Sequence, residues 1–328
     1  MNHFGDLFRI SLFGESHGRG VGVVIDGLKA GIALSEELFE RDLVRRRGGG
    51  VGTTPRREED RPEVLSGLYR GHTTGAPLTL WFENREQRSE DYLASEGHFR
   101  PSHADYVASV RYEGWNDPRG GGHFSGRMTL PLVAAGVVAK EHMKELSFST
   151  RLVELGGECN PERFETLLQE AREAGDSLGG VVECSVEGIP VGWGEPMIDT
   201  MEGLLAHLIF AIPGVRGVEF GAGFSATRMR GSEHNDPLMD GQGRTQTNHA
   251  GGVVGGLSNG NPLTLRVAFK PTPSISREQQ TYSATEGCVA PLSIQGRHDT
   301  AIVLRGAVVV EAAVAIVLAD LKMKAQAR

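Results

Sequence analysis

Residues 306–321 read GAVVVEAAVAIVLADL, and this stretch decides between a membrane-spanning chain and a globular one. Its 16 residues fall short of the ~20 that cross a bilayer, and Glu311 and Asp320 interrupt it. It therefore reads as a buried helix near the C-terminus. A second apolar helix is expected over 130–146, LPLVAAGVVAKEHMKEL. Around these two lie short β-prone runs at 10–13, 21–25, 152–155, 181–186, 218–220 and 263–269. Residues 62–83 alternate such runs with glycine turns and predict a meander or hairpin. Further helices are expected from Ser35, a candidate N-cap, to about Arg47, and over 161–173 and 201–210. Residues 83–124 show little periodicity, and a loop of that length is usually functional or mobile. Strands and helices mix without steady βαβ alternation, so the class is α+β rather than a doubly wound parallel sheet.

The chain has 328 residues, 39% apolar and 23% charged, a globular composition with room for one large domain or two modest ones. A net charge of −8 disfavours general affinity for nucleic acid or an acidic membrane. The basic residues are nonetheless biased, with 28 arginines against 6 lysines. Arginine grips phosphate and carboxylate through paired hydrogen bonds, so the bias points to anion recognition or simply to a compositional habit. Glycine is the outlier at 45 residues, about twice the usual share, without the strict period of a collagen. Cys159, Cys184 and Cys288 are odd in number and form no CxxC. That excludes a disulfide scaffold or zinc ribbon and implies a reducing compartment. The N-terminal MNHFGDLFRISLFG lacks the pattern of a secretory leader, so a cytoplasmic location is expected.

Familiar signatures are missing: there is no P-loop, HExxH, EF-hand or GxSxG pattern. GAGFSA (221–226) approaches the dinucleotide fingerprint, but the following TRMRGSEHND does not look like a pyrophosphate-binding helix, and a turn is expected. Five segments remain. Ser16 and His17 sit between glycines, where a backbone can approach a ligand and an imidazole can exchange a proton near neutral pH. RPSHAD (100–105) holds a guanidinium, an imidazole and a carboxylate, and Asp105 could orient His103 or pair with Arg100. RGGGHFSGR (119–127) offers backbone donors flanked by arginines. NHAGGVVGGLSNG (248–260), with the basic turn KPTPS (270–274), suits a phosphate. Arg297, His298 and Asp299 form the last cluster. Taken singly, each also reads as a salt-bridged or structural loop. No His or acidic pair has ligand spacing on a shared helix face, so no metal is expected.

Together, FGESHG (13–18), RRR (45–47), RPSHADY (100–106), RGGGHFSGR (119–127), RGSEHND (230–236), NHAGGVVGGLSNG (248–260), KPTPSIS (270–276) and GRHD (296–299) resemble the chorismate synthase family in kind and order. The resemblance implies a single domain over 1–328, a β-α-β sandwich with helices between two mainly antiparallel sheets, assembled as a homotetramer. It implies conversion of 5-enolpyruvylshikimate 3-phosphate into chorismate and phosphate by 1,4-anti elimination, with reduced FMN (FMNH2) required and no net redox change. His17 corresponds to the acid near the leaving phosphate. His103 corresponds to the histidine that protonates or holds the flavin near N1. Asp299 with Ser16 resembles the relay by which flavin N5 takes the C6 proton. Arg46, Arg100 and Arg127 match substrate ligands. His123, Phe124, Ser125, Gly255, Lys270, Pro271, Thr272, Pro273, Ser274 and Arg297 match flavin-binding positions.

Some family members also reduce FMN with NADPH. No added domain is visible within 328 residues, so the expected partners are the substrate and an external flavin reductase or reductant, with no nucleic acid and no membrane. Two departures stand out. Where the family motif is commonly GGRSSARET, residues 121–129 read GGHFSGRMT, so His123 replaces an arginine. After Arg47, GGGVGTTP is one residue shorter than a common form and lacks an arginine.

Overall fold

Two antiparallel sheets enclose the apolar helices in a computed structural model that describes residues 2–53, 59–85, 97–294 and 298–327. The first sheet comprises β1 (His3–Phe4), β2 (Arg9–Gly14), β3 (Gly20–Asp26), β4 (Glu63–Ser66) and, after the small hairpin β5 (Leu68–Tyr69) and β6 (His72–Thr73), β7 (Leu78–Glu83). Its order is β1-β2-β3-β7-β4. The second comprises β8 (Ser147–Leu155), β9 (Gly180–Glu187), β10 (Val215–Phe220) and, after the hairpin β11 (Val253–Val254) and β12 (Leu257–Ser258), β13 (Leu263–Phe269). Its order is β10-β13-β9-β8. In β7, β9 and β13 burial alternates residue by residue, as it must when one face of a sheet meets a core and the other does not.

The two apolar helices fill the space between the sheets. Thr129–His142 is buried from Thr129 to Ala139 and packs on β2, β3 and β7. Val303–Gln326 is buried without interruption from Val308 to Leu321 and packs on β8, β9 and β13. The helices cross closely at Gly136, where an added Cβ would lie only 2.4 Å from that of Ala312. Glu36–Arg46 packs against both. One cluster of buried apolar side chains spans both sheets and these helices.

The two acids that interrupt the C-terminal apolar run tie the layers together. Asp320 Oδ1 accepts the backbone N–H groups of Asp6, Leu7 and Phe8 at 3.0, 2.7 and 2.9 Å, fixing the N-terminal turn. Glu311 accepts Arg45 Nη1 at 2.9 Å and Nη2 at 2.7 Å, Lys140 Nζ at 2.7 Å and the Thr150 hydroxyl at 2.8 Å. Lys140 also bonds Asp42. A carboxylate buried in an apolar helix is tolerated because every charge around it is paired.

The α+β class and the sandwich agree with expectation, with local corrections. The helix expected over 130–146 stops at His142, and β8 begins at Ser147, five residues before its expected start. The aperiodic segment contains a helix, Asp105–Arg111, of which only Ala108 is buried, so no apolar face marked it. A hairpin of β14 (Gln279–Ser283) and β15 (Cys288–Leu292) was not anticipated. GAGFSA leads only into the 3-10 turn Gly223–Arg228, as expected of a turn. Among the described residues no helix is long and apolar enough to cross a membrane, and no group of three or more His, Cys, Asp or Glu could hold a metal.

Candidate active site

The loops at one edge of the helical layer line a cavity of about 860 Å³. Ser16, Arg46, Arg100, His103, His123 to Arg127, Lys270, Thr272 to Ser274 and Asp299 all face it. Six segments far apart in the chain thus converge on one space.

The glycine run organises its centre. Gly120, Gly121 and Gly122 have φ of +58°, +80° and +53°, a left-handed path that side chains resist. A Cβ on Gly120 would lie 2.4 Å from His17 Cδ2 and 2.5 Å from Nε2. One on Gly121 would lie 3.2 Å from His103 Cε1. The bare backbone therefore lets two imidazoles from distant motifs approach within the width of a dipeptide. His17 is 5% exposed and abuts Gly120 rather than lining the cavity itself. Asp117 holds the run in place by accepting Arg119 N at 3.0 Å and Nε and Nη2 at 2.8 Å. These bonds, chiefly from the Arg119 side chain, keep its carboxyl below the usual range, with the charge of His17 assisting.

Asn84, which the sequence did not disclose, braces the site from behind the cavity wall. Its amide donates to the carbonyls of Glu15 at 3.0 Å and Gly18 at 2.9 Å, shaping the turn that carries Ser16 and His17. Its carbonyl accepts Arg127 Nε. Asp60, with a strained φ of +48°, receives Arg127 Nη1 at 3.1 Å and stands 3.6 Å from Arg46 Nη1. Arg305, also unanticipated, clamps Asp299 at 2.9 Å and donates to the Arg46 carbonyl at 2.7 Å. Arg46 is 3% exposed, and burial, followed by the like charge of Arg305, pulls its guanidinium down to about 9. Among the described residues, seven cationic side chains line the cavity against two carboxylates, Asp60 and Asp299. A wall so unbalanced, in a protein of net charge −8, is built for a multiply charged anion.

At RPSHAD both readings hold at once. Asp105 takes Arg100 Nε and Nη2, each at 2.7 Å, and His103 Nδ1 at 2.6 Å. Arg100 Nη1 reaches the Ser274 hydroxyl at 3.2 Å, joining this motif to the KPTPS turn, and Lys270 donates to the Ser102 carbonyl. The Thr272 hydroxyl is buried without a partner among the described residues. With the open glycine cradle, that unspent donor leaves room for a polar cofactor beside the cationic wall. His123 Nδ1 donates to the Gly14 carbonyl at 2.8 Å, leaving Nε2 for other contacts. Pro271 is exposed and is not on the cavity wall, and Gly255 lies in the turn between β11 and β12, also off the wall. Arg297 lies outside the described residues.

A family model described as chorismate synthase matches residues 8–323. A chorismate synthase of Chitinophaga pinensis is 54% identical over 99% of this chain and 98% of its own length. One from Thermococcus kodakarensis is 44% identical over 96% of each. A crystal structure of chorismate synthase superposes with a TM-score of 0.75 at 27% identity, covering 98% of this chain and 93% of the other.

Proposed function

The chain belongs to the chorismate synthase family, and from that premise we propose that it converts 5-enolpyruvylshikimate 3-phosphate into chorismate and inorganic phosphate. In this 1,4-anti elimination the C3–O bond breaks, C6 loses a proton and phosphate departs, with reduced FMN required and no net redox change. The observation that carries the reading is the cationic excess of the cavity beside two imidazoles held against one glycine dipeptide. The substrate brings a phosphate and two carboxylates, the kind of charge such a wall can compensate.

Arg46, Arg100 and Arg127 bind and orient these anionic groups, and Arg305 fixes Arg46 and Asp299 relative to each other. Charge held ready where phosphate leaves is the expected largest catalytic contribution. His17 gives its proton to the departing phosphate. Ser16 and Asp299 would assist passage of the C6 proton to the flavin N5 as its acceptor, and His103 would hold the flavin ring edge through Nε2. His123, Phe124, Ser125, Lys270, Thr272, Pro273 and Ser274 would hold the flavin. The chemistry that reduced FMN would supply there, when bound, is transient electron density for C–O cleavage with no net redox change. We further propose a homotetramer in the cytoplasm, supplied with reduced flavin by a separate reductase.

The test is anaerobic incubation of the protein with substrate and dithionite-reduced FMN. Phosphate and chorismate in equal amounts are expected. Tight binding of both ligands without phosphate release would reject the reading in favour of a flavin-binding relative that has lost the chemistry.

A further inference from the structure

We propose that Asp105 is a positioning residue that couples the two ligands of the cavity, its one carboxylate being shared between Arg100 on the substrate side and His103 on the flavin side. This rests on the functional reading above, which assigns those two sides. Asp105 grips Arg100 with both oxygens, at 2.7 Å to Nε and 2.7 Å to Nη2, and accepts the Arg100 backbone N–H at 3.2 Å. The same Oδ1 that meets Nη2 stands 2.6 Å from His103 Nδ1. A guanidinium only donates and a carboxylate only accepts, so the network assigns the Nδ1 proton to the bond with Asp105, although Arg100 Nη2 is itself 3.0 Å from Nδ1.

His103 Nε2 is then the atom whose protonation can change, and it is turned to the glycine run: a Cβ on Gly121 would stand 3.4 Å from it. The charged and titratable groups around the ring are Arg100 and Asp105 on its own segment, Lys270 from the KPTPS turn, and His17 beyond Gly120. Burial opposes ionisation of Asp105, but hydrogen bonds from Arg100 and His103 outweigh it and hold the carboxyl well below its usual range. The carboxylate is therefore a fixed charge over the working pH range, and only its division between two partners can vary.

An anionic substrate on Arg100 neutralises the guanidinium and draws it away from Asp105. The carboxylate then acts on His103 alone and favours the doubly protonated ring, whose Nε2–H can donate to the ring-edge acceptors that a flavin presents whether oxidised or reduced. By reciprocity, flavin held on His103 strengthens substrate binding by the same factor.

The experiment is a fluorescence titration of oxidised FMN, which supports no turnover, with and without 5-enolpyruvylshikimate 3-phosphate, repeated across about pH 6 to 9. It compares the wild type with Asp105→Asn and Asp105→Glu, with thermal unfolding reporting on the fold. In the wild type, substrate should tighten FMN binding by roughly five- to a hundredfold, and the factor should shrink as pH rises. In Asp105→Asn the factor should approach unity while each ligand still binds alone, and Asp105→Glu should restore part of it. An undiminished factor in a folded Asp105→Asn overturns the proposal. So does a pH-independent factor in the wild type, a result that needs no variant. Failure of either ligand to bind the wild type would instead reject the functional reading and this proposal with it.

Discussion

Adjacent residues on one helix, Arg45 and Arg46, enter two charge clusters built on opposite principles. Arg45 joins a closed network in which Arg45 and Lys140 meet two buried carboxylates, Asp42 and Glu311, the largely exposed Arg41 stands 3.4 Å from Asp42, and the Thr150 hydroxyl fills the remaining bond. Arg46 joins the cavity, whose wall among the described residues carries seven cations and two carboxylates, with Asp105 and Glu40 pairing Arg100 and Arg47 from behind it. In the first cluster every charge has a partner, and the cluster ties together three helices and a sheet. In the second, the Arg46 guanidinium is lowered chiefly by burial and then by the like charge of Arg305, a cost that an anionic ligand would offset. Buried charge alone does not mark function; unbalanced buried charge beside a cavity does.

The comparison can be broken from either side. The largest expected effect is at the cavity: His17→Ala or Asp299→Ala should lower turnover by roughly two to four orders of magnitude. Steady-state phosphate release measures this, and wild-type turnover in either variant would discard its role. On the closed side, Glu311→Gln leaves Arg45 and Lys140 undercompensated and should cost about 3–5 kcal/mol in denaturant unfolding. Turnover per folded molecule should stay unchanged, and a loss of turnover would show that the two clusters are not separate.

A subtler expectation concerns acid. Burial works against ionisation of Glu311, but the Arg45 hydrogen bond and the Lys140 charge outweigh it and hold the carboxyl down at about 2, against 4.5 for the free group. Its stabilisation is thus complete above 4.5 and lost as pH falls through about 2. Unfolding free energies measured across that window should fall less steeply in Glu311→Gln than in the wild type. Equal slopes would mean that Glu311 does not drive the acid response.

The smallest effect sharpens the cavity side. His123, standing where an arginine is common, should tighten FMN binding when protonated by about two- to tenfold, the difference between a neutral and a charge-assisted hydrogen bond. Identical pH profiles of FMN affinity for wild type and His123→Gln would refute this.

What the sequence disclosed follows the same division. Motifs in which glycine and a reactive side chain sit side by side, such as 14–18 and 119–127, were legible because the pattern lies in consecutive residues. The sandwich was legible in its two apolar helices and its resemblance. Arg305 was not, because its bond to the Arg46 carbonyl joins residues 259 apart in a helix otherwise read as buried. Asp60 and Asn84 were missed for the same reason: each acts by holding another residue, and neither carries a local pattern. Glu311 and Asp320 were read as interruptions of an apolar run, while in the fold they anchor it. Gly255, matched to a flavin position by the resemblance, sits off the cavity wall of this chain, so its assignment rests on the motif alone.

The most direct test of the central contrast is the thermal unfolding midpoint as a function of 5-enolpyruvylshikimate 3-phosphate concentration, without flavin, in wild type, Arg46→Met and Glu311→Gln. Ligand at a hundred times its dissociation constant should stabilise the wild type by about 2.7 kcal/mol. Glu311→Gln should show the same gain from a lower starting point, and Arg46→Met should show little. A wild type that gains nothing, or an Arg46→Met variant that gains as much, would contradict the claim that the cavity's surplus charge exists for this anion.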